Sequence, residues 1–188
     1  MNQDIKGMVN GQALLTSEFE RQKQYLKESY NQRQMEWDEQ EVDKVVLEQM
    51  IGQALLVQEA EKEGIKVDNE TIEQNVERIK SQFTTEEQFY QALESQNLTL
   101  EQLEHDIYKE ARINGYLENN ISSEEIKATN DEISFYYEQY KASAGNQAQG
   151  FEEVKPQIEQ IITQQKVGQA IGVVVEKLKA QSEIETYI

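Results

Sequence analysis

The sequence is dominated by segments in which apolar residues recur every three or four positions, each opened by a residue that can cap a helix. That period places the apolar residues on one face of an α-helix. Several caps are followed three residues later by Glu or Gln, which completes a capping box. The spacing predicts a mostly α fold whose helices are capped at Ser17, Asp38, Asp68, Thr85, Thr99, and Thr129 or Asn130.

The pattern also predicts where the longer helices begin and end. The first helix should begin at the Ser17–Glu20 capping box and run to about Met35. The second should end at Gly64, because glycine readily adopts the left-handed conformation of a helix C-terminus. Its buried stripe should consist of Val42, Val45, Val46, Met50, Ile51, Ala54 and Leu55. A long final helix is expected from Phe151 to about Ala180.

Both ends of the chain carry the signals of short strands. Asn10-Gly11 lies between apolar residues, and this pair favours a tight hairpin because both residues tolerate positive φ. Apolar and polar residues alternate over Ser182–Ile188, the period of a strand. Isolated hairpins are barely stable in water. We therefore expect the C-terminal strand to pair with the N-terminal one in a small β-sheet.

Charge and composition exclude several classes of function. The chain has 36 acidic and 18 basic residues, a net charge of -18, which repels nucleic acid and anionic lipid. It has no cysteine, so disulfides, zinc-thiolate sites and cysteine nucleophiles are excluded. No apolar run reaches the length of a membrane span, and the N-terminus has no signal-peptide core. If the native protein is exported, we expect its signal peptide to have been removed and Met1 to be an added start residue.

The sequence offers no set of catalytic or metal-binding residues. His105 is the only histidine, so neither a catalytic triad nor a paired Glu-x-x-His metal site can be assembled around it. We predict no catalytic residues, no metal and no cofactor, and we expect His105 to be solvated or locally hydrogen-bonded. A hydrolase that uses carboxylates and a metal is the least favoured class.

Two groups of aromatic residues are candidates for contact with an unfolded client. Phe135, Tyr136, Tyr137 and Tyr140 lie within six positions, and successive helical residues rotate by roughly 100°, so they cannot all face the core. Tyrosine suits a wetted apolar groove because its ring is apolar and its hydroxyl polar. The predicted client-binding residues are Phe83, Phe89, Tyr90, Tyr136, Tyr137 and Tyr140.

Four segments resemble the SurA/PrsA-type chaperones of the bacterial periplasm and cell surface. They are the Val9–Phe19 opening, Leu55–Val67, Thr129–Tyr137 and Phe151–Ile158. In such proteins a parvulin-type prolyl isomerase domain commonly follows the third of these segments, whereas here only ten residues separate Tyr140 from Phe151. The resemblance therefore implies a SurA N-terminal-like chaperone without isomerase activity, located outside the cytoplasm.

The resemblance further implies a single domain over residues 1–188. Its parts would be a helical region (8–141), a linker where the parvulin domain would be inserted (142–150), and a long helix and strand that pack back on the first region (151–188). The implied function is an ATP-independent holdase for unfolded exported polypeptides, as a monomer or homodimer. The alternative is a helical adaptor that dimerises and binds one protein partner.

Overall fold

A computed structural model describes residues 4–187 of the chain. Within them lie eight α-helices, one 3₁₀ turn and three short strands, which confirms the mostly α fold with a small sheet. The chain divides into two compact units. The first comprises Met1–Tyr116 with Leu178–Ile188, and the second comprises Leu117–Lys177.

The sheet of the first unit joins the two ends of the chain. Strands β1 (Ile5–Val9) and β2 (Gln12–Leu15) form a hairpin, and β3 (Ile184–Thr186) pairs antiparallel with the other side of β1. The strand order is β2-β1-β3, which confirms the predicted pairing of the C-terminal strand with the N-terminal part of the chain. Of the predicted C-terminal strand, Ile188 lies outside the described residues.

Asn10 fixes the hairpin turn and fastens the C-terminal segment to it. Asn10 and Gly11 have φ values of 50° and 82°, which confirms the predicted turn. The Asn10 Nδ2 group donates to Gln58 Oε1 at 2.8 Å and to Ser182 Oγ at 3.2 Å. Its Oδ1 accepts from the backbone N–H of Glu183 at 2.9 Å. One turn residue thus connects β1, the second helix and the segment that leads into β3.

Five helices begin in the described part of the first unit, and the second of them has the most buried residues. They are α1 (Thr16–Gln32), α2 (Glu39–Lys62), α3 (Asn69–Lys80), α4 (Glu86–Ser95) and α5 (Leu100–Asn120), the last of which continues into the second unit. The predicted α2 stripe is buried except at Val45, which is 36% exposed. Leu47 and Leu56 are also buried, so α2 is covered on more than one side. Phe19 and Phe89 are among the largest fully buried side chains of the described residues.

Most of the predicted caps are present. Asp38 accepts from the N–H groups of Gln40 and Glu41, and Asp68 accepts from Thr71. Thr99 and Gln102 exchange both hydrogen bonds of a capping box.

The predicted start of α1 is wrong. The helix begins at Thr16 after Leu15, with no side-chain cap, because β2 runs directly into it and the Thr16 N–H donates to Asp4 O at 2.9 Å. The sheet therefore provides what the Ser17–Glu20 box was expected to provide. The helix also ends three residues before the predicted Met35, at Gln32, and Gln34 adopts a φ of 55° in the turn that follows.

The second unit is built from α6 (Ser123–Ile126), α7 (Asn130–Ala144) and most of α8 (Phe151–Lys179). Thr129 and Glu132 form the capping box of α7. The segment predicted as a linker contains the end of α7 and a 3₁₀ turn at Gly145–Gln147. The core consists of Ile133, Val154, Ile158 and Ile162. The single-turn helix α6 was missed, although Ser122 caps it.

Candidate functional surfaces

The first aromatic group lies at α4 and is called the α4 patch: Phe83, Phe89 and Tyr90. The Phe89 ring contacts Phe83 edge-on with centroids 5.7 Å apart and Tyr90 with centroids 5.2 Å apart. Phe89 is only 1% exposed, whereas Tyr90 is 45% exposed. Phe89 is therefore a core residue that supports the patch, and Tyr90 is the member most accessible to a bound chain.

The surroundings of Tyr90 are acidic. Glu86, Glu87 and Glu94 lie one helical turn away from it, and residues at this spacing are neighbours on a helix surface. Lys80 Nζ lies 2.6 Å from Glu86 Oε1, and this hydrogen bond raises the pKa of Lys80. One of the three carboxylates is thereby neutralised, and the surface around the ring stays net negative.

The second aromatic group is called the α7 patch: Tyr136, Tyr137 and Tyr140. All three are half-buried and pack against the core of the second unit. The Tyr137 hydroxyl donates to Gln149 O at 3.1 Å, and the Gln149 N–H donates to Tyr140 Oη at 3.1 Å. Tyr137 also contacts the Phe151 ring edge-on, with centroids 5.1 Å apart. Tyr137 and Tyr140 thus hold the connection between α7 and α8 in place.

Phe135 is the exposed aromatic residue of α7. Its side chain is 68% exposed, because it lies two positions from the buried Ile133, about 200° around the helix. The sequence argument that at least one of the four aromatics faces outward is correct, but Phe135 was not among the predicted site residues. Asp131 and Glu138 lie one turn to either side of it. Like Tyr90, it is an apolar group among carboxylates.

Further exposed apolar residues lie on α1 and in the turn that follows it. Tyr25 is 70% exposed, Met35 50% and Trp37 37%. The Trp37 ring is oriented by a hydrogen bond from Nε1 to Asn31 Oδ1 and by Lys27 Nζ, 4.6 Å from the ring centre. The sequence analysis missed this surface, because the apolar period alone does not distinguish it from core.

A groove of about 730 Å³ lies between β2, α1, α2 and α5 in the first unit, and is called the β2 groove. One wall is the strand itself. Apolar side chains of Met50, Ala54 and Val57 line its α2 side. The opposite side is polar and is formed by α5 residues between Thr99 and Lys109, including His105.

The charges of the β2 groove are only partly compensated. Arg21 Nη2 lies 2.7 Å from both a Glu18 and an Asp106 oxygen. Partial burial lowers the pKa of Arg21, but these two carboxylates outweigh it and raise the pKa above its ordinary value. Lys109 lies 3.7 Å from Asp106. Within the described residues Glu101 has no such ion pair, so the α5 wall retains a free carboxylate.

Two features are absent from the described residues. No group of three or more His, Asp or Glu side chains between residues 4 and 187 is arranged to hold a metal ion. Over the same residues, no helix is both long enough and apolar enough to cross a bilayer.

Comparison with known families gives a match to the SurA-like N-terminal domain over residues 6–117, more than half of the chain. The chain belongs to this family. The matched range contains most of β1, all of β2 and α1–α4, and most of α5, and therefore the β2 groove and the α4 patch of this SurA-like domain. The α7 patch lies outside it.

A solved structure supports the same fold over nearly the whole length of the SurA-like chain. It comes from work on two structurally related SurA-like chaperones of the human pathogen Campylobacter jejuni, the virulence factor PEB4 and the periplasmic protein Cj1289. The match covers 97% of this chain and 98% of that one, with a TM-score of 0.59 and 13% identity. At this identity the likeness shows the fold alone. No curated protein matches the sequence.

Proposed function

We propose that this SurA-like protein is an ATP-independent holdase that binds unfolded exported polypeptides and has no prolyl isomerase activity. Membership of a SurA-like family supports a chaperone-type role. The observation that carries the holdase mode is the set of exposed apolar side chains on a strongly acidic chain, chiefly Tyr25, Met35, Tyr90 and Phe135. We infer that a flexible client contacts these side chains separately, because each presents apolar area to solvent.

The charge explains how such a surface remains usable. A net charge of -18 makes copies of the chain repel one another, which keeps exposed apolar groups from associating with themselves. The carboxylates around Tyr90 and Phe135 also attract clients with basic segments. Binding to such clients should weaken as salt rises, because exposed charges are screened. Release is passive, since the sequence has no nucleotide-binding motif.

We propose that clients bind the aromatic residues predicted from the sequence. Tyr90 contacts the client directly, and a client reaches only the exposed parts of the half-buried rings of Phe83, Tyr136, Tyr137 and Tyr140. Buried Phe89 acts as support. Phe135 joins this set because it is the most exposed aromatic side chain of α7. The acting unit is the single domain over residues 1–188 with its junction at 142–150, and it works outside the cytoplasm.

Light scattering of two unrelated unfolding proteins tests the proposal. A stoichiometric amount of the chain, without ATP, should suppress the aggregation of both. The double variant Y90A/F135A should suppress it several-fold less than the matched control Q91A/S134A, which truncates exposed polar neighbours. Suppression of neither client would contradict a general holdase and favour an adaptor that binds one partner.

A proline-peptide isomerisation assay tests the second part of the proposal. In the presence of the chain, cis–trans relaxation of the peptide's prolyl bond should keep its uncatalysed time of tens of seconds. Acceleration that rises in proportion to the amount of chain, and survives further purification, would contradict the absence of isomerase activity.

A further inference from the structure

Strand β2 lies at the edge of the sheet, and the register shows which of its backbone groups face outward. Val9 and Gln12 flank the two-residue turn and form a hydrogen-bonded pair, so the next pair, Met8 and Ala13, is not hydrogen-bonded. Met8 directs its N–H and C=O toward Glu185 on β3. The N–H and C=O of Ala13 therefore point away from the sheet.

Among the described elements, none outside the hairpin bonds to these outward groups. Within residues 4–187, no backbone or side-chain hydrogen bond from outside the hairpin reaches Ala13. Ala13 is exposed, and Leu15, whose side chain lies on the same face of β2, is 52% exposed. Unpaired backbone groups on a strand edge form a ready template for a further strand.

The edge of β2 also lines the β2 groove, which gives an added strand a place for its side chains. Alternate side chains of such a strand would point to the α2 side, where Met50, Ala54 and Val57 form an apolar surface. The α5 wall carries the unpaired carboxylate of Glu101. Backbone pairing tolerates many client sequences. The apolar α2 side of the groove, called the α2 floor, and the charge of Glu101 favour a client segment in which an apolar residue lies near a basic one.

We infer that β2 binds an extended segment of unfolded polypeptide as an additional antiparallel or parallel strand, with an apolar side chain on the α2 floor and a Lys or Arg near Glu101. This inference rests on the proposed holdase function and names its backbone recognition site. Strand addition of this kind derives its strength from main-chain hydrogen bonds and its preferences from alternate side chains. Because β2 has only four residues, the interaction is short and reversible.

The other edge of the sheet provides an internal control. Thr186 of β3 faces Gly7 as a non-hydrogen-bonded pair, so its N–H also points outward. The β2 groove is not lined by β3 residues. Proline at an edge position removes an outward N–H without removing a ladder hydrogen bond. The variants A13P and T186P therefore change equivalent groups on the two edges, only one of which lines the groove.

The first test uses the unmodified protein and a backbone scan of the ligand. A fluorescent eight-residue peptide of alternating valine and polar residues, with one lysine, is titrated with the wild-type chain by anisotropy. Each central residue is then N-methylated in turn. Strand addition predicts a period of two: methylation at alternate positions weakens binding at least tenfold, while the intervening positions change it less than twofold. Equal losses at all positions, or none, would overturn the inference.

The protein-side test compares the two proline variants after circular dichroism has shown that each is folded. A13P should weaken binding of the same peptide at least tenfold, and T186P less than twofold. The reverse order would overturn the assignment to β2. If A13P fails to fold, the N-methyl scan decides alone. Suppression of aggregation by the wild-type chain together with a scan that lacks the period would overturn strand addition and leave the holdase proposal standing.

Discussion

The closure of the chain by β3 depends on a glycine, and replacing it tests the packing directly. A Cβ built on Gly7 would lie 2.5 Å from the backbone oxygen of Glu185. Non-bonded atoms of this kind normally stay roughly 3.5 Å apart, so G7A requires β3 to move by about 1 Å. The atom in the way is a backbone oxygen, so the clash cannot be relieved by rotation of a side chain.

A movement of this size breaks the hydrogen bonds that hold β3. The Asn10 N–H donates to Glu183 O at 2.8 Å and the Tyr187 N–H to Lys6 O at 2.8 Å. Lengthening these by 1 Å takes them beyond hydrogen-bond distance. Losing two to four such bonds costs about 2–4 kcal/mol. The reduced freedom of the unfolded chain in the alanine variant offsets about 0.5–1 kcal/mol. We expect G7A to lower the free energy of unfolding by about 1–3 kcal/mol.

Urea denaturation followed by far-UV circular dichroism and by the fluorescence of Trp37, the single tryptophan, measures this change. The matched control is G168A, in the middle of α8, where an added Cβ meets nothing within 4 Å. Because alanine favours a helix over glycine, the control should gain about 0.5–1 kcal/mol. A G7A variant as stable as wild type would refute the close approach of β1 and β3.

Three further changes test the capping, the ion pairs and the aromatic contacts. D38A removes the N-cap of α2 and should cost about 1 kcal/mol in thermal unfolding. K23M should cost about 1 kcal/mol near neutral pH. Hydrogen bonds to Asp43 and Glu39 raise the pKa of Lys23 to about 12, and bonding to Lys23 lowers the pKa of Glu39. The stabilisation by Lys23 is lost as pH rises from 10.5 through about 12. The stabilisation by Glu39 is lost as pH falls below 4.5, so the difference in stability between wild type and K23M should shrink in that direction. Y140F removes the hydroxyl that accepts a hydrogen bond from the Gln149 N–H, so hydrogen exchange of this amide with solvent should become about fivefold faster. An unchanged exchange rate would contradict the contact.

The parts of the fold that sequence predicts well are set by neighbouring residues. Asp38, Asp68 and Thr99 cap helices through hydrogen bonds to groups two or three positions away, so the signal and its partner lie in one short segment. The Asn10-Gly11 turn is equally local. The start of α1 was misplaced because its first N–H bonds to Asp4, across the hairpin, where no local pattern points.

The candidate surfaces were harder to predict because exposure depends on what packs from elsewhere in the chain. Phe89 and Phe135 are both aromatic residues on amphipathic helices, yet one is 1% and the other 68% exposed. Helical period showed that one member of the α7 aromatics must face outward, but not which one. The β2 groove unites four elements that are distant in sequence, so only the folded chain brings its residues together.

An open strand edge next to exposed apolar groups is a liability for a protein that must stay dispersed, since it invites pairing between copies. In this chain β2 is only four residues long and α1 begins directly at its end, which limits any pairing to a short contact. The net charge of -18 adds repulsion between copies, whereas a basic, unfolded segment is attracted by the same charge. Charge therefore does not merely keep the chain in solution. It distinguishes a client from a second copy at an edge whose backbone groups would accept either.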